Sequence, residues 1–90
     1  MTTARSFTCT GGAVEGRARL DADGTGALAL GLGGRQVVGL SWTQDGRFVV
    51  VDANHPDIAP LTLRAVDDGT GRFEFRASRE TGWPLTWTEV

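Results

Sequence analysis

The sequence predicts a single all-β domain over residues 1–90, built from about eight short antiparallel strands. Apolar and polar residues alternate with a period of two along most of the chain, and helical spacing is nearly absent. The connections between the alternating stretches are mostly short and contain Gly or Asp, as tight turns require. A chain of 90 residues that is 40% hydrophobic and 22% charged has the size and balance of one small globular domain.

Four strands are predicted in the first half of the chain, at 5–10, 13–20, 27–32 and 35–43. In the first of them, "RSFTCT", Phe7 and Cys9 share the inward face. Cys9 is the only cysteine, so it forms no internal disulfide, and we expect it to pack as a small hydrophobe. The inward faces of the other three strands are formed by Val14, Ala18, Leu20, Leu28, Leu30, Leu32, Val38, Leu40 and Trp42.

Four further strands are predicted in the second half, at 47–53, 61–67, 72–78 and 84–90. Phe48 and Val50 are placed on the inward face of "RFVVVDA", although Val49 and Val51 make this strand apolar on both sides. The inward faces of the last three strands are formed by Leu61, Leu63, Ala65, Phe73, Phe75, Ala77, Leu85 and Trp87.

The two halves resemble each other when the sequence is shifted by 45 positions. The shift aligns "DGTG" at 23–26 with "DGTG" at 68–71, and "LSWT" at 40–43 with "LTWT" at 85–88. Eight of the 45 aligned positions are identical, and the matches keep turn, strand face and closing Trp in step without a gap. We therefore predict two four-stranded pseudo-repeats, 1–45 and 46–90, that arose by duplication.

Three arrangements would bury the inward faces of two such units. The first is a β-sandwich or Greek-key pair with the two Trp-bearing strands in equivalent places. The second is a small closed β-barrel whose strands follow one another in meander order. In the third, each unit is a propeller blade, and several chains assemble into a ring.

Composition and charge disfavour several classes of function. Nine Arg and no Lys against eleven acidic residues give a net charge of −2, which excludes a basic field for general nucleic-acid binding. The absence of Lys beside abundant Ala, Gly and Asp is typical of a GC-rich, bacterial genome. No apolar run approaches the roughly 20 residues of a membrane span, and the first twelve residues contain no signal-peptide core. We expect a cytoplasmic protein that does not bind membranes.

The longest predicted connection, "NHPDIAP" at 54–60, is the place where function is most expected. With the end of the preceding strand it brings together Asp52, Asn54, His55 and Asp57. Local turn hydrogen bonds would explain these residues as well. A metal or catalytic site would need a second strong ligand or a reactive partner, and His55 is the only histidine. We therefore predict a binding surface here, without catalytic residues, metal or cofactor.

Trp83 is the tryptophan that we assign to the same binding surface. Trp42 and Trp87 alternate with Leu and are expected to lie in the core, whereas Trp83 stands at a strand entry between Gly82 and Pro84. An aromatic side chain in that place often remains partly exposed and contacts a partner.

Arginines dominate the predicted outward faces. Arg17, Arg19, Arg64, Arg72 and Arg76 fall there beside Glu15 and Glu74. We expect a lattice of cross-strand ion pairs, each contributing roughly 0.2–1 kcal/mol. The alternative is a patch for an anionic ligand or an acidic partner.

The function that these features favour is a small, non-enzymatic binding or interaction module, which engages a protein partner or forms a homo-oligomer. One alternative is a barrel that holds a small apolar molecule and shapes its reaction. Ala27, Ala29, Gly31 and Gly39 would mark such a barrel if they lined its interior. A further alternative is an oligomeric, propeller-type carbohydrate binder.

Overall fold

The computed structural model describes residues 4–31 and 36–90, and in these ranges it contains nine β-strands and no helix. Period-two alternation forms strands in the places where the sequence predicts them. The strands are β1 Arg5–Thr10, β2 Gly16–Leu20, β3 Thr25–Leu30, β4 Gln36–Asp45, β5 Phe48–Ala53, β6 Thr62–Val66, β7 Arg72–Glu74, β8 Arg76–Ala77 and β9 Thr86–Glu89.

All nine strands belong to one antiparallel sheet with the order β7-β9-β1-β2-β3-β4-β5-β6-β8. Strands β1 to β6 follow one another as a meander, and β9 pairs with both β1 and β7. Only Phe75 separates β7 from β8, so the two edges of the sheet are consecutive pieces of the same chain segment. The sheet therefore curls into a nearly closed barrel. This confirms the predicted all-β antiparallel class and selects the barrel from the three arrangements.

The closing segment changes its partner at Phe75. The Phe75 amide still donates to the Leu85 carbonyl at 2.8 Å, on the β9 side, whereas the Ser78 amide donates to the Thr62 carbonyl at 2.8 Å, on the β6 side. The pairing of β6 with β8 covers Leu63 with Ala77 and Arg64 with Arg76. Beyond Arg64 and Arg76, towards the start of β7, the described residues form no further ladder pairs with β6. This leaves a seam between β6 and β7.

The predicted pseudo-repeats place matching turns in matching positions. In the first "DGTG", the amide and the hydroxyl of Thr25 donate to one oxygen of Asp23 at 3.0 and 2.6 Å. In the second, the amide and the hydroxyl of Thr70 donate to Asp68 at the same two distances. The turns also share a positive φ at their first glycine, 88° and 85° respectively. A common origin of the two halves stays a prediction.

The interior of the barrel is filled by side chains. Phe7, Phe73, Phe75 and Trp87 form an aromatic cluster whose ring centroids lie 4.6 to 5.8 Å apart. Trp87 is fully buried, as predicted, and its Nε1–H donates to the Pro84 carbonyl at 2.9 Å, so burial leaves no polar atom unpaired. The other buried core residues are Cys9, Ala18, Leu20, Leu28, Leu30, Val38, Leu40, Val49, Val51, Leu61, Leu63 and Ala65.

Strand β5 lies in the opposite phase to the one predicted. Val49 and Val51 are buried, whereas Phe48 is 60% exposed. The two-residue turn between β4 and β5 sets this phase, because it pairs Asp45 with Phe48 and thereby Trp42 with Val51. Residues that are paired across strands share a face of the sheet, so Val51 follows Trp42 inward.

Other inward placements also need adjustment. Val14 precedes β2 and is 42% exposed, so its prediction as a core residue was wrong. Trp42, Ala77 and Leu85 pack against the core but are only partly buried. The Nε1–H of Trp42 donates to the Asp21 carbonyl at 2.7 Å, which holds the ring beside the turn that precedes β3. Leu32 lies outside the described residues.

Candidate functional site

The connections at the two ends of the barrel differ in length. Because the strands alternate in direction, 11–15, 54–61 and 78–85 emerge at one end, which we call the loop end. The connections 21–24, 46–47 and 67–71 emerge at the other, which we call the turn end. The predicted 54–60 loop and Trp83 therefore lie at the same end of the barrel. Binding residues are often found on loops that a rigid scaffold holds in place.

The 54–61 connection is held by local hydrogen bonds. The Asp57 amide donates to Nδ1 of His55 at 3.0 Å, and the Ile58 amide donates to the His55 carbonyl at 3.2 Å. The Asn54 amide donates to the Gly39 carbonyl at 2.9 Å. These contacts close a turn around the half-buried imidazole and leave the carboxylate of Asp57 exposed.

Asp52 and the other predicted site residues have different hydrogen-bond partners. It lies on the outer face of β5, where the Thr62 hydroxyl donates to its carboxylate at 2.7 Å. Within 4–31 and 36–90, no hydrogen bond or ion pair joins the His55 ring to a carboxylate. The structure therefore groups Asn54, His55 and Asp57 in one turn and assigns Asp52 to the strand surface.

Trp83 is half-buried and rests against both the core and the 11–15 connection. The Ala13 amide donates to the Gly82 carbonyl at 2.9 Å. A Cβ on Gly12 would lie 2.5 Å from the carbonyl carbon of Trp83, closer than a side chain allows. The contact between these two segments therefore requires glycine at position 12.

Arg79 joins the 78–85 connection to the 54–61 connection. Its guanidinium donates to the Ala59 carbonyl at 3.0 Å and to the Pro60 carbonyl at 3.4 Å. Together with the contacts of Gly12 and Ala13, this contact links the three connections into one surface that includes Trp83. Sequence reasoning missed Arg79 and Gly12, because backbone contacts between distant loops leave no pattern in the spacing of residues.

The turn end is closed by Arg5. Its guanidinium donates to both carboxylate oxygens of Glu89, at 2.9 and 3.0 Å, and lies 4.0 Å from Asp67. The same group lies over the rings of Phe7 and Phe73, 5.5 and 5.3 Å from their centroids. The hydrogen bond with Arg5 lowers the pKa of Glu89, and the same bond raises the pKa of Arg5.

Two observations bear on metal binding and on thiol chemistry. In the described part of the chain, no three His, Cys, Asp or Glu side chains are grouped as a metal site would require. Burial raises the pKa of the Cys9 thiol to about 12, so this group stays protonated and unreactive near neutral pH. This agrees with the interpretation of Cys9 as a small hydrophobe.

The ion-pair lattice predicted on the outward faces is largely wrong. The register places Arg64 opposite Arg76, and Arg17 opposite Thr8 and Ala29. Among the arginines predicted on these faces, the ion pairs within 4–31 and 36–90 join residues two apart on one segment, Arg19 with Asp21 at 2.9 Å and Arg72 with Glu74 at 3.0 Å.

No protein-family model, curated protein or solved structure matches this chain. Within 4–31 and 36–90, the structure holds no helix with the length and apolar character that crossing a bilayer demands.

Proposed function

We propose that this protein is a small, non-enzymatic binding module that engages a protein partner through the loop end of the barrel. The observation that carries the proposal is that hydrogen bonds and a close backbone contact link 11–15 and 54–61 to 78–85, the connection that contains the half-buried Trp83. Tryptophan is enriched among the residues that dominate protein–protein binding. The proposal keeps the cytoplasmic location expected from the sequence.

The hydrogen bonds within this surface favour binding in a second way. Binding is weaker when loops must become ordered in the complex, because the ordering costs conformational entropy. Here the Asp57 amide already uses Nδ1 of His55, and Arg79 already ties the 54–61 connection to its neighbour. A partner would therefore meet a surface whose backbone is fixed before contact, with the exposed carboxylate of Asp57 as a polar contact.

The packed interior argues against the alternative of a barrel that holds a small apolar molecule. Ala27 and Ala29 alternate with the buried Leu28 and Leu30, so they lie on the outer face of β3. Gly31 and Gly39 are exposed, and a Cβ built on either would meet no atom within 4 Å. These small residues therefore do not enlarge the interior, which the aromatic cluster occupies.

Native mass measured by light scattering is the first experiment, because it separates partner binding from self-assembly. We expect a monomer, which leaves the loop end free for a different protein. A dimer that Trp83→Leu converts to monomer would instead make a second copy of this chain the partner. A larger assembly of several chains would contradict the proposal of a separate protein partner.

Partner capture then tests the loop end itself. Wild-type protein, Trp83→Leu and Asp57→Lys are immobilised, and proteins that each retains are quantified by mass spectrometry. Leu at position 83 keeps an apolar contact with the core, so the fold should survive. We expect the specifically retained partner to fall at least tenfold in both variants.

Arg47→Ala is the matched control, since Arg47 is exposed in the turn between β4 and β5 at the opposite end. We expect it to retain the partner like the wild type. Equal loss in all three variants, or loss in none, would contradict the assignment of the loop end as the binding surface. Thermal unfolding of each variant checks that the fold is intact.

A further inference from the structure

Two arginines face each other on the outer surface of the barrel, on strands beside the 78–85 connection. Arg64 on β6 is paired directly with Arg76 on β8, and both are exposed. Like charges in directly opposed positions destabilise a sheet. No ion pair in the described chain includes either residue, and residues 1–3 and 32–35 contain no Asp or Glu that could provide one. The pair therefore concentrates uncompensated positive charge.

The nearest carboxylates along and across these strands already have partners. Glu74, two residues before Arg76, forms its ion pair with Arg72 at 3.0 Å. Asp52, which is paired with Thr62 across β5 and β6, accepts a hydrogen bond from the Thr62 hydroxyl at 2.7 Å. Neither is held against the arginine pair, so an anion from solution could occupy the position between the two guanidinium groups.

The first half of the chain shows the arrangement that the second half lacks. Arg19, which aligns with Arg64 in the 45-residue shift, forms an ion pair with Asp21 at 2.9 Å. The position equivalent to Asp21 in the second half is Val66, which is 51% exposed. At this place the second half thus has an apolar side chain where the first half has the carboxylate that neutralises its arginine.

A groove of about 640 Å³ runs along the outer face at the seam between β6 and the β7–β8 segment. This volume lies within the range of about 300–1,000 Å³ typical of small-molecule sites. Phe48 and Val66 form its apolar end, since they are paired across β5 and β6 and remain 60% and 51% exposed. The lining of the groove also includes Thr62, Arg64, Glu74, Arg76 and Ser78.

The polar end of the groove adds a donor to the arginine pair. Ser78 Oγ accepts the Thr62 amide at 3.0 Å, which fixes the oxygen while its own proton stays available. Guanidinium groups form their strongest hydrogen bonds with carboxylate and phosphate oxygens. From the loop end to the turn end, the groove thus runs from a hydroxyl through two cations to an apolar pair.

We propose that this groove binds a single-chain amphiphile with an anionic head group. The carboxylate or phosphate head lies between Arg64 and Arg76, and the apolar chain covers Phe48 and Val66. The two arginines and the apolar pair of this site lie on strands and not in the loop-end connections, so its failure would leave the proposed protein-binding function untouched.

Isothermal titration with three ten-carbon probes and acetate tests the site, each below its aggregation concentration. Decanoate and decyl phosphate combine charge with a chain, decanol has only the chain, and acetate has only the charge. We expect the better anionic amphiphile to bind at least tenfold more tightly than decanol or acetate. Whichever of the two anions binds more tightly identifies the head group.

Variants then locate the interaction. Arg64→Gln and Arg76→Gln should each lower the affinity for the anionic probe at least tenfold, and Phe48→Ser should lower it at least threefold. Arg17→Gln is the matched control, an exposed outer-face arginine opposite Thr8 and Ala29, and should bind like the wild type. Amide chemical-shift changes should fall within 62–66 and 72–78.

The thermal unfolding midpoint gives a second, ligand-free measurement of the same site. Because Arg64→Gln removes one of two opposed like charges, its midpoint should equal or exceed that of the wild type. A lower midpoint would show that Arg64 stabilises the fold, and it would contradict the inference that the charges of Arg64 and Arg76 are uncompensated. Equal affinity for decanol and decanoate, equal loss in Arg17→Gln, or no binding of either anionic amphiphile would overturn the site.

Discussion

Arg5 contacts two kinds of group, carboxylates and aromatic rings, at the turn end of the barrel. Its guanidinium binds the Glu89 carboxylate, lies within reach of Asp67 and covers the rings of Phe7 and Phe73. The ion pair connects the first strand to the last, and the cation over the rings shields the aromatic core from water. The Arg5 side chain thus stabilises the pairing of β1 with β9 and covers the turn end of the aromatic core.

Replacing Arg5 by Gln should lower the free energy of unfolding by roughly 1–3 kcal/mol at pH 7, because charge-assisted hydrogen bonds and cation–π contacts are lost together. Chemical denaturation of the two proteins measures the difference. Arg72→Gln is the control, since it breaks the exposed Arg72–Glu74 pair, which should contribute about 0–1 kcal/mol. Equal effects of the two substitutions would contradict the role given to Arg5.

The same contact makes stability depend on pH in a defined direction. The pKa of Glu89 is lowered in the folded protein by its hydrogen bond with Arg5. The stabilisation is therefore complete above the pKa of the unfolded chain, about 4.3 for Glu, and is lost as the pH falls through the lower folded value. The difference between wild type and Arg5→Gln should shrink over that acidic range.

At the scale of elements, the two "DGTG" turns determine where β3 and β7 begin. In each turn an aspartate oxygen binds both the amide and the hydroxyl of the Thr two residues later, and a glycine between them adopts positive φ. These bonds lower the pKa of Asp23 and of Asp68. The aspartate thus acts as a local replacement for backbone pairing where the chain reverses.

Because the two turns share their geometry, Asp23→Ala and Asp68→Ala should lower the thermal unfolding midpoint by similar amounts, and the double variant by their sum. Each effect should disappear in acid, since a lowered pKa means stabilisation that is lost as the pH falls through it. Differential scanning calorimetry at neutral and acidic pH measures both. Asp45→Ala, an exposed carboxylate beside another turn, should change little.

The strands show where sequence patterns suffice and where they fail. Alternation with a single apolar face placed Phe7, Leu28 and Trp87 correctly, because only one phase buries them. Alternation failed in β5, because either face of this strand would bury valine side chains. The two-residue turn before Phe48 determines which face points inward. Alternation also could not show that the predicted strand 72–78 divides at Phe75, since both of its parts keep the same alternation.

At the scale of the whole molecule, the sequence left open how the inward faces are buried. Alternation identifies the buried face of a strand, but a sandwich and a barrel bury that face equally well, and sheet curvature depends on pairing between distant strands. The sequence predicted the 54–60 loop and Trp83 as the binding surface, and this stays a prediction. The opposition of Arg64 and Arg76 depends on register alone, so only the structure could reveal it.

The meander order of the barrel also has a kinetic consequence. Every pairing from β1 to β6 joins chain neighbours, whereas β9 must return to β1 across most of the sequence, pairing Thr88 with Thr8. Closing so large a loop is entropically unfavourable, so we expect it to follow the rate-limiting step of folding. Trp87→Phe in β9 should then chiefly accelerate unfolding, whereas Leu28→Ala in β3 should also slow folding. Stopped-flow circular dichroism distinguishes the two, and slowed folding of Trp87→Phe would place ring closure within the transition state.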